Sequence, residues 1–198
     1  MSALSCRERV RSSRIRRLEV EIEVMPRGKR SQINGKRVNG HGVDTREASK
    51  RKALYVVRRS EIHGRGVFAA RPITKGMRII EYKGRRISNR LANELYPDDG
   101  EGPTHTFLFE LDNDIVIDAG QRGNAARWIN HSCDPNCEAV EEDGRIYIEA
   151  CRAIALGEEL GYDYRINLDE RHSLREKRRW PCFCGAKSCR GTLLGKKR

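Results

Sequence analysis

The stretch RWINHSCDPNC, residues 127–137, decides how the rest of this chain is read. It crowds Asn130, His131, Ser132, Cys133, Asp134 and Asn136 into one short run. Side chains of this kind compete for backbone hydrogen bonds, and so many together suit neither a helix interior nor a strand. Cys133 and Cys137 could be metal ligands, a disulfide pair or packing. The choice depends on sequence far away.

The chain has seven cysteines in 198 residues, and an odd number argues against a complete disulfide framework. Cys6 lies in a basic leader, and Cys151 follows the apparent strand IYIEA, where a small buried hydrophobe is expected. The other five fall into two clusters. Cys182, Cys184 and Cys189 are spaced C-x-C-x4-C in a piece with almost no apolar residues of its own. A structural zinc would hold so small a segment together, since thiolate coordination contributes directly to folding. Three thiolates leave one position to fill, and either Cys133 or Cys137 could fill it.

Charge divides the chain into three parts. Residues 1–60 carry 17 Lys/Arg against 6 Asp/Glu, residues 61–164 carry 12 against 19, and residues 165–198 carry 11 against 3. An acidic body of net −7 thus lies between basic ends of net +11 and +8. Basic ends can hold polyanions nonspecifically by counterion release, whereas an acidic body attracts lysine-rich peptides. No apolar run approaches the roughly 18 residues of a membrane span. The N-terminal segment lacks the apolar core of a secretory signal, and Glu8, Glu19, Glu21 and Glu23 argue against a transit peptide. An intracellular protein with no membrane association is expected.

Residues 1–52 read as a basic, disordered leader. Within it RLEVEIEV (17–24) alternates in strand period, and PRGKR (26–30) weakly resembles a basic minor-groove hook. From Ala53 the texture changes to short strands: ALYVVRRS, GVFAARPI and MRIIEYKG, broken by Gly, Pro and Thr-Lys-Gly turns. SNRLANELY predicts one short helix capped by Ser88 or Asn89. TFLFELD and DIVIDA predict a hairpin, as does EAVEEDGRIYIEACRAI with its turn at Asp143-Gly144. NAARWIN predicts a single helical turn, and the charged run INLDERHSLREKRRW is expected to be partly helical. The fold class is mostly β.

Four motifs in order carry a family resemblance: HGRGVFAARPITKGMRIIEYKG, RWINHSCDPNC, GEELGYDY and CFCGAKSCRGTLL. Together they resemble the SET-domain protein-lysine methyltransferases that have a post-SET zinc segment. The likeness runs roughly from Tyr55 to Leu194. It implies a SET fold of several small sheets with a knot-like crossing, a SET domain over 53–165, and a linker and post-SET segment over 166–198. It implies S-adenosylmethionine as methyl donor and a structural zinc held by Cys133, Cys182, Cys184 and Cys189, leaving Cys137 spare.

The resemblance also assigns roles. His63, Gly64, Arg65 and Gly66 would form a turn around the cofactor, with Asn130 and His131 contacting its polar parts. Trp180 and Leu193 would cover it from the post-SET side, and Phe107 would border it. Tyr164 would be the catalytic tyrosine, with Tyr82 and Tyr162 beside it, and Phe107 would join these three in an aromatic channel for lysine. Phe107 departs from the tyrosine many members have, removing one hydroxyl. A hydroxyl on Tyr162 favours mono- or dimethylation.

Two functions are therefore expected, in order. The first is a methyltransferase acting on lysine in basic protein segments such as histone tails, monomeric, in the nucleus of a eukaryote or the cytoplasm of a bacterium. The second is a catalytically weak SET-fold module that binds chromatin or another basic protein. Intact Tyr164, Asn130-His131 and the cysteine quartet favour the first.

Overall fold

The computed structural model describes residues 53–97, 107–111, 114–168 and 171–196. The alternating RLEVEIEV stretch, the PRGKR hook and the remainder of the leader lie outside the described residues.

The body is built from short strands, as their β-branched and aromatic residues predict. Strand β1 (Tyr55–Arg59) pairs antiparallel with β2 (Arg65–Ala69). Strand β3 (Arg78–Tyr82) lies beside the hairpin of β8 (Cys137–Glu142) and β9 (Arg145–Ala150), in the order β3-β9-β8. That hairpin turns at Asp143 and Gly144, both with positive φ (51° and 68°), the handedness that matches strand twist in tight turns. A third sheet has the order β4-β6-β5, from β4 (Arg85–Ser88), β5 (Leu108–Leu111) and β6 (Ile115–Asp118). Strand β4 is not evident in the sequence. Of its four residues only Ile87 is buried, so its arginines mask the alternation that marks a strand.

Helix α1 (Asn89–Leu95) starts where capping chemistry places it, with the Ser88 hydroxyl accepting from the Leu91 N–H. Residues Ala125–Trp128 form the expected single turn, of 3₁₀ type. Helix α2 (Leu174–Arg179) occupies the charged run and has Ser173 at its N-cap. No helix among the described residues is long and apolar enough to cross a membrane.

Two apolar clusters hold these sheets together. The larger joins Val67, Phe109, Ile146, Ile148, Leu160, Trp180 and Leu194 across sheets distant in sequence. Each large side chain removed from water contributes about 1.5–3 kcal/mol. The smaller cluster packs Ala92 and Tyr96 at α1 against Ile87, Leu108 and Val116. Beneath it the buried Asp118 accepts from the Tyr96 hydroxyl at 2.7 Å and the Gly120 N–H at 2.9 Å, which offsets the cost of burying a carboxylate.

The fourth pairing positions the site. Strands β7 (Asn130–His131) and β10 (Gly161–Tyr162) run parallel, joining the opening motif to GEELGYDY. Each is only two residues long, so neither has a strand period to read. The Ser132 N–H donates to Tyr162 O at 3.0 Å and the Asn136 N–H to Gly161 O at 3.2 Å. The Asn136 side chain completes the clasp. Its amide donates to Glu158 Oε1 at 2.9 Å and Glu159 O at 2.8 Å, and its Oδ1 accepts from the Gly161 N–H at 2.9 Å. The polar crowding noted in the sequence therefore satisfies backbone where two segments meet without a regular ladder.

The C-terminal tail returns to this place. Ile166 bridges Leu194 in parallel, and Pro181 bridges Thr192. His172 bonds both strands of the return, accepting the Leu168 N–H at Nε2 (3.2 Å) and meeting Gly195 O through Nδ1 (3.0 Å).

Candidate active site and metal centre

The cysteines separate as their spacing suggests. The Sγ atoms of Cys133, Cys182, Cys184 and Cys189 lie within 4.8 Å of one another. Cys133 Sγ is 3.8 Å from Cys182 Sγ and 4.0 Å from Cys189 Sγ. A tetrahedral zinc with bonds of about 2.3 Å separates its sulfurs by about 3.8 Å, so the four thiols fit a structural zinc.

The surroundings fit the negative charge of such a centre. Backbone N–H groups of Cys133, Arg190 and Gly191 donate to the sulfurs of Cys184, Cys133 and Cys189 at 3.4, 3.5 and 3.4 Å. Burial raises the thiols of Cys133 and Cys182; at Cys184 burial is outweighed by the N–H donors from Cys133 and Ala186, which bring the thiol down to about 7. Cys137 differs: it sits in the main core, and burial pushes its thiol up to about 12. Cys151 is buried, but it is disulfide-bonded, so it is not the simple packing residue that its place after a strand suggests.

The opening turn meets the central motif through Asn130. Its amide nitrogen donates to His63 O at 3.4 Å, Arg65 O at 3.0 Å and Glu159 Oε1 at 2.7 Å. Glu159 also accepts from the Ser60 hydroxyl at 2.9 Å. With the nitrogen side occupied, the Asn130 amide offers its Oδ1 as the remaining acceptor, which suits the ammonium of an amino-acid-bearing cofactor. Gly64 has φ +45°, a conformation L side chains rarely adopt, and a Cβ at Gly66 would collide with the Glu159 carboxylate. The glycines thus serve the turn and its carboxylate neighbour. Glu159 has no local sequence signal, because its partners are distant in the chain, whereas Asn136 belongs to the polar run noted in the sequence.

His131 is turned inward. It is 3% exposed, its Nδ1 accepts the Tyr164 N–H at 3.1 Å, and its Nε2 lies 3.3 Å from Cys133 Sγ. The ring hydrogen therefore belongs on Nε2, directed at the sulfur. Burial, the largest influence, lowers its pKa to about 4, so the ring is neutral near pH 7. Its side chain is committed to the protein, leaving its backbone for any ligand.

Aromatic rings connect the expected channel. Tyr82 lies 5.4 Å from Phe109, Phe109 6.5 Å from Tyr162, and Tyr162 4.9 Å from Tyr164, measured between ring centroids. Phe109 is absent from the sequence-based set because it reads as a core residue of β5, which it also is. Burial raises the pKa of Tyr82, Tyr162 and Tyr164 above the ordinary value of 10. All three are neutral phenols at physiological pH, unable to act as phenolate bases. The Tyr164 hydroxyl donates to Ile129 O at 2.7 Å, which fixes it at the start of β7.

Phe107 is edge-on to Trp128 at 5.1 Å, and the Arg127 guanidinium lies over its ring at 5.5 Å. The Trp128 ring in turn faces the guanidinium groups of Arg65 at 5.2 Å and Arg127 at 4.6 Å. Trp180, expected over a cofactor, is among the largest fully buried side chains. The Leu193 N–H donates to Trp180 O at 2.9 Å, and the Leu193 side chain is partly buried against the main core.

A profile described as "SET domain" matches residues 64–165. Histone-lysine N-methyltransferase SETD1B of Xenopus laevis is 40% identical over 142 residues, which is 68% of this chain and 7% of that protein. Histone-lysine N-methyltransferase trithorax of Drosophila virilis is 41% identical over 142 residues, 68% of this chain and 3% of its own length. A histone-lysine N-methyltransferase of Eremothecium gossypii described as H3 lysine-4 specific is 43% identical over 154 residues, 74% of this chain and 15% of its own length. The chain thus spans only a small part of the length of these relatives. With the profile covering half of it and relatives about 40% identical over two thirds of it, this chain belongs to the SET domain family.

Proposed function

We propose that this chain is an S-adenosylmethionine-dependent protein-lysine N-methyltransferase acting on lysines in basic protein segments such as histone tails. The observation that supports it most is the position of the Tyr164 hydroxyl. It is held on Ile129 O within a chain of neutral aromatic rings, next to the turn that Asn130 ties together. The names of the similar proteins point the same way.

S-adenosylmethionine supplies an activated methyl group on a sulfonium. The residues then have three tasks. Asn130 Oδ1, the backbone of His131 and the turn 63–66 hold the donor's polar end, with Leu193 and the buried Trp180 closing the post-SET side. Tyr82, Phe109 and Tyr162 form walls that strip water from the incoming lysine, and desolvation favours its neutral, nucleophilic form. Tyr164 orients the reacting groups for an in-line displacement, which is catalysis by positioning. Aromatic faces also favour a cationic sulfonium and the methylammonium product.

The Tyr162 hydroxyl takes up room in the channel and supports mono- or dimethylation as the outcome. The body's net charge of −7 complements a cationic peptide, and the basic ends supply nonspecific contacts to nucleic acid near it. The test is labelled methyl transfer onto a panel of histones and cell lysate, with products read by mass spectrometry. Transfer to lysine that disappears in Tyr164→Phe supports the proposal. A folded, zinc-loaded protein that transfers no methyl group to any of these would refute it.

A further inference from the structure

Asp163 lies between two channel tyrosines, yet the chemistry above does not use it. The rings of Tyr162 and Tyr164 lie 4.9 Å apart, while the Asp163 carboxylate is held by Arg190 and lies 3.6 Å from His131 Nδ1. Arg190 Nη1 donates to Asp163 Oδ2 at 2.8 Å and Nη2 to Oδ1 at 2.5 Å. The same guanidinium donates from Nε to Leu194 O at 2.9 Å. Arg190 directly follows the metal-type ligand Cys189, and its own N–H donates to Cys133 Sγ at 3.5 Å. Asp163 Oδ1 also accepts the Arg165 N–H at 3.1 Å. A second arm runs in parallel, because His131 spans from Cys133 Sγ to the Tyr164 N–H.

Two side chains therefore connect the sulfur cluster to one three-residue segment. A planar fork on a carboxylate fixes orientation as well as distance, which a single contact does not. We propose that the Arg190–Asp163 pair is a positioning device that ties the four-cysteine centre to the Tyr162–Tyr164 segment, so that metal loading sets where the Tyr164 hydroxyl stands. Arg190 and Asp163 are positioning residues. The effect on turnover rests on the methyltransferase function proposed above; the mechanical coupling does not.

The test uses the full chain as wild type, Arg190→Gln, Arg190→Lys, Asp163→Asn and the Arg190→Gln/Asp163→Asn double variant. Three quantities are measured: zinc per chain, amide hydrogen exchange over 161–166, and steady-state methyl transfer to a lysine peptide. Arg190→Gln is expected to keep its zinc while the Tyr164 amide exchanges at least about tenfold faster. Its kcat falls about tenfold to a hundredfold while KM for the peptide changes less than about threefold. Arg190→Lys keeps the charge without the fork and regains only part of kcat. The double variant loses no more than the worse single variant, the signature of coupled residues. Chelating zinc from the wild type reproduces the faster exchange.

Exchange and kcat within about twofold of wild type in Arg190→Gln would overturn the proposal. So would independent, multiplying losses in the double variant, or a fall in kcat that only tracks lost zinc. If Arg190→Gln does not fold, Asp163→Asn carries the same comparison. A wild type inert toward every substrate, with the exchange changes present, supports the coupling while refuting the enzymatic function.

Discussion

At the scale of single residues, one substitution weighs the structural bond of the Tyr164 hydroxyl against the catalytic role proposed for it. Tyr164→Phe removes its bond to Ile129 O, which costs about 1 kcal/mol of stability. Methyl transfer should fall at least about a hundredfold, the scale at which misplaced reacting groups lose rate. A thermal melt and initial rates on the same preparation check both. Tyr162→Phe is expected to shift products toward higher methylation, read by mass spectrometry on the peptide. Glu158 gives a pH signature. Burial alone would raise its pKa, but Arg152 at 2.7 Å, the Asn136 amide and the Ala155 N–H outweigh this and hold it below 4.5. A folded-state pKa below the unfolded one stabilises fully above about pH 4.5 and is lost as pH falls through the depressed value. Glu158→Gln should therefore be less stable than wild type at neutral pH, and the difference should shrink in acid denaturation below about pH 4.5. Cys133 and the tail cysteines were legible because ligand spacing is local or repeats a family motif. Glu159 and Arg190 were not, since each acts through a partner that sequence distance hides.

Among the elements, the post-SET segment depends most on one component. Helix α2 buries no side chain, and Phe183, between two of the cysteines, is 68% exposed. Little apolar burial holds the knuckle itself, so Cys184→Ser or zinc removal should loosen 181–192 and weaken cofactor binding while the sheets of the body persist. Limited proteolysis with and without chelator, followed by mass mapping, tests this; cleavage spread evenly over the body would contradict it. The same contrast explains what could be read in advance. Helix α1 announced itself through Ser88, and the β8–β9 hairpin through Asp143-Gly144, because caps and turns need particular side chains. Strands β7 and β10 announced nothing. Their identity lies in the partner strand, and two residues carry no period.

For the whole molecule, the separation of charge makes a claim about binding. Nucleic acid should associate through the basic ends, so log K against log salt should have a steep slope that flattens when residues 1–52, with most of that region's 17 Lys/Arg, are removed. Affinity for a lysine peptide should change far less, because the acidic body is untouched. The order of the chain has a further effect, seen in the four-cysteine centre. Cys133 meets its partners 49, 51 and 56 positions later. During translation the central motif leaves the ribosome with one of the four ligands, Cys133, in place and the other three still to come. The nascent protein must keep that cysteine reduced and uncommitted until the last ligands emerge. Coordination is thus possible only once residue 189 has been made, and oxidants or scarce zinc before that point would harm the nascent chain more than the folded one.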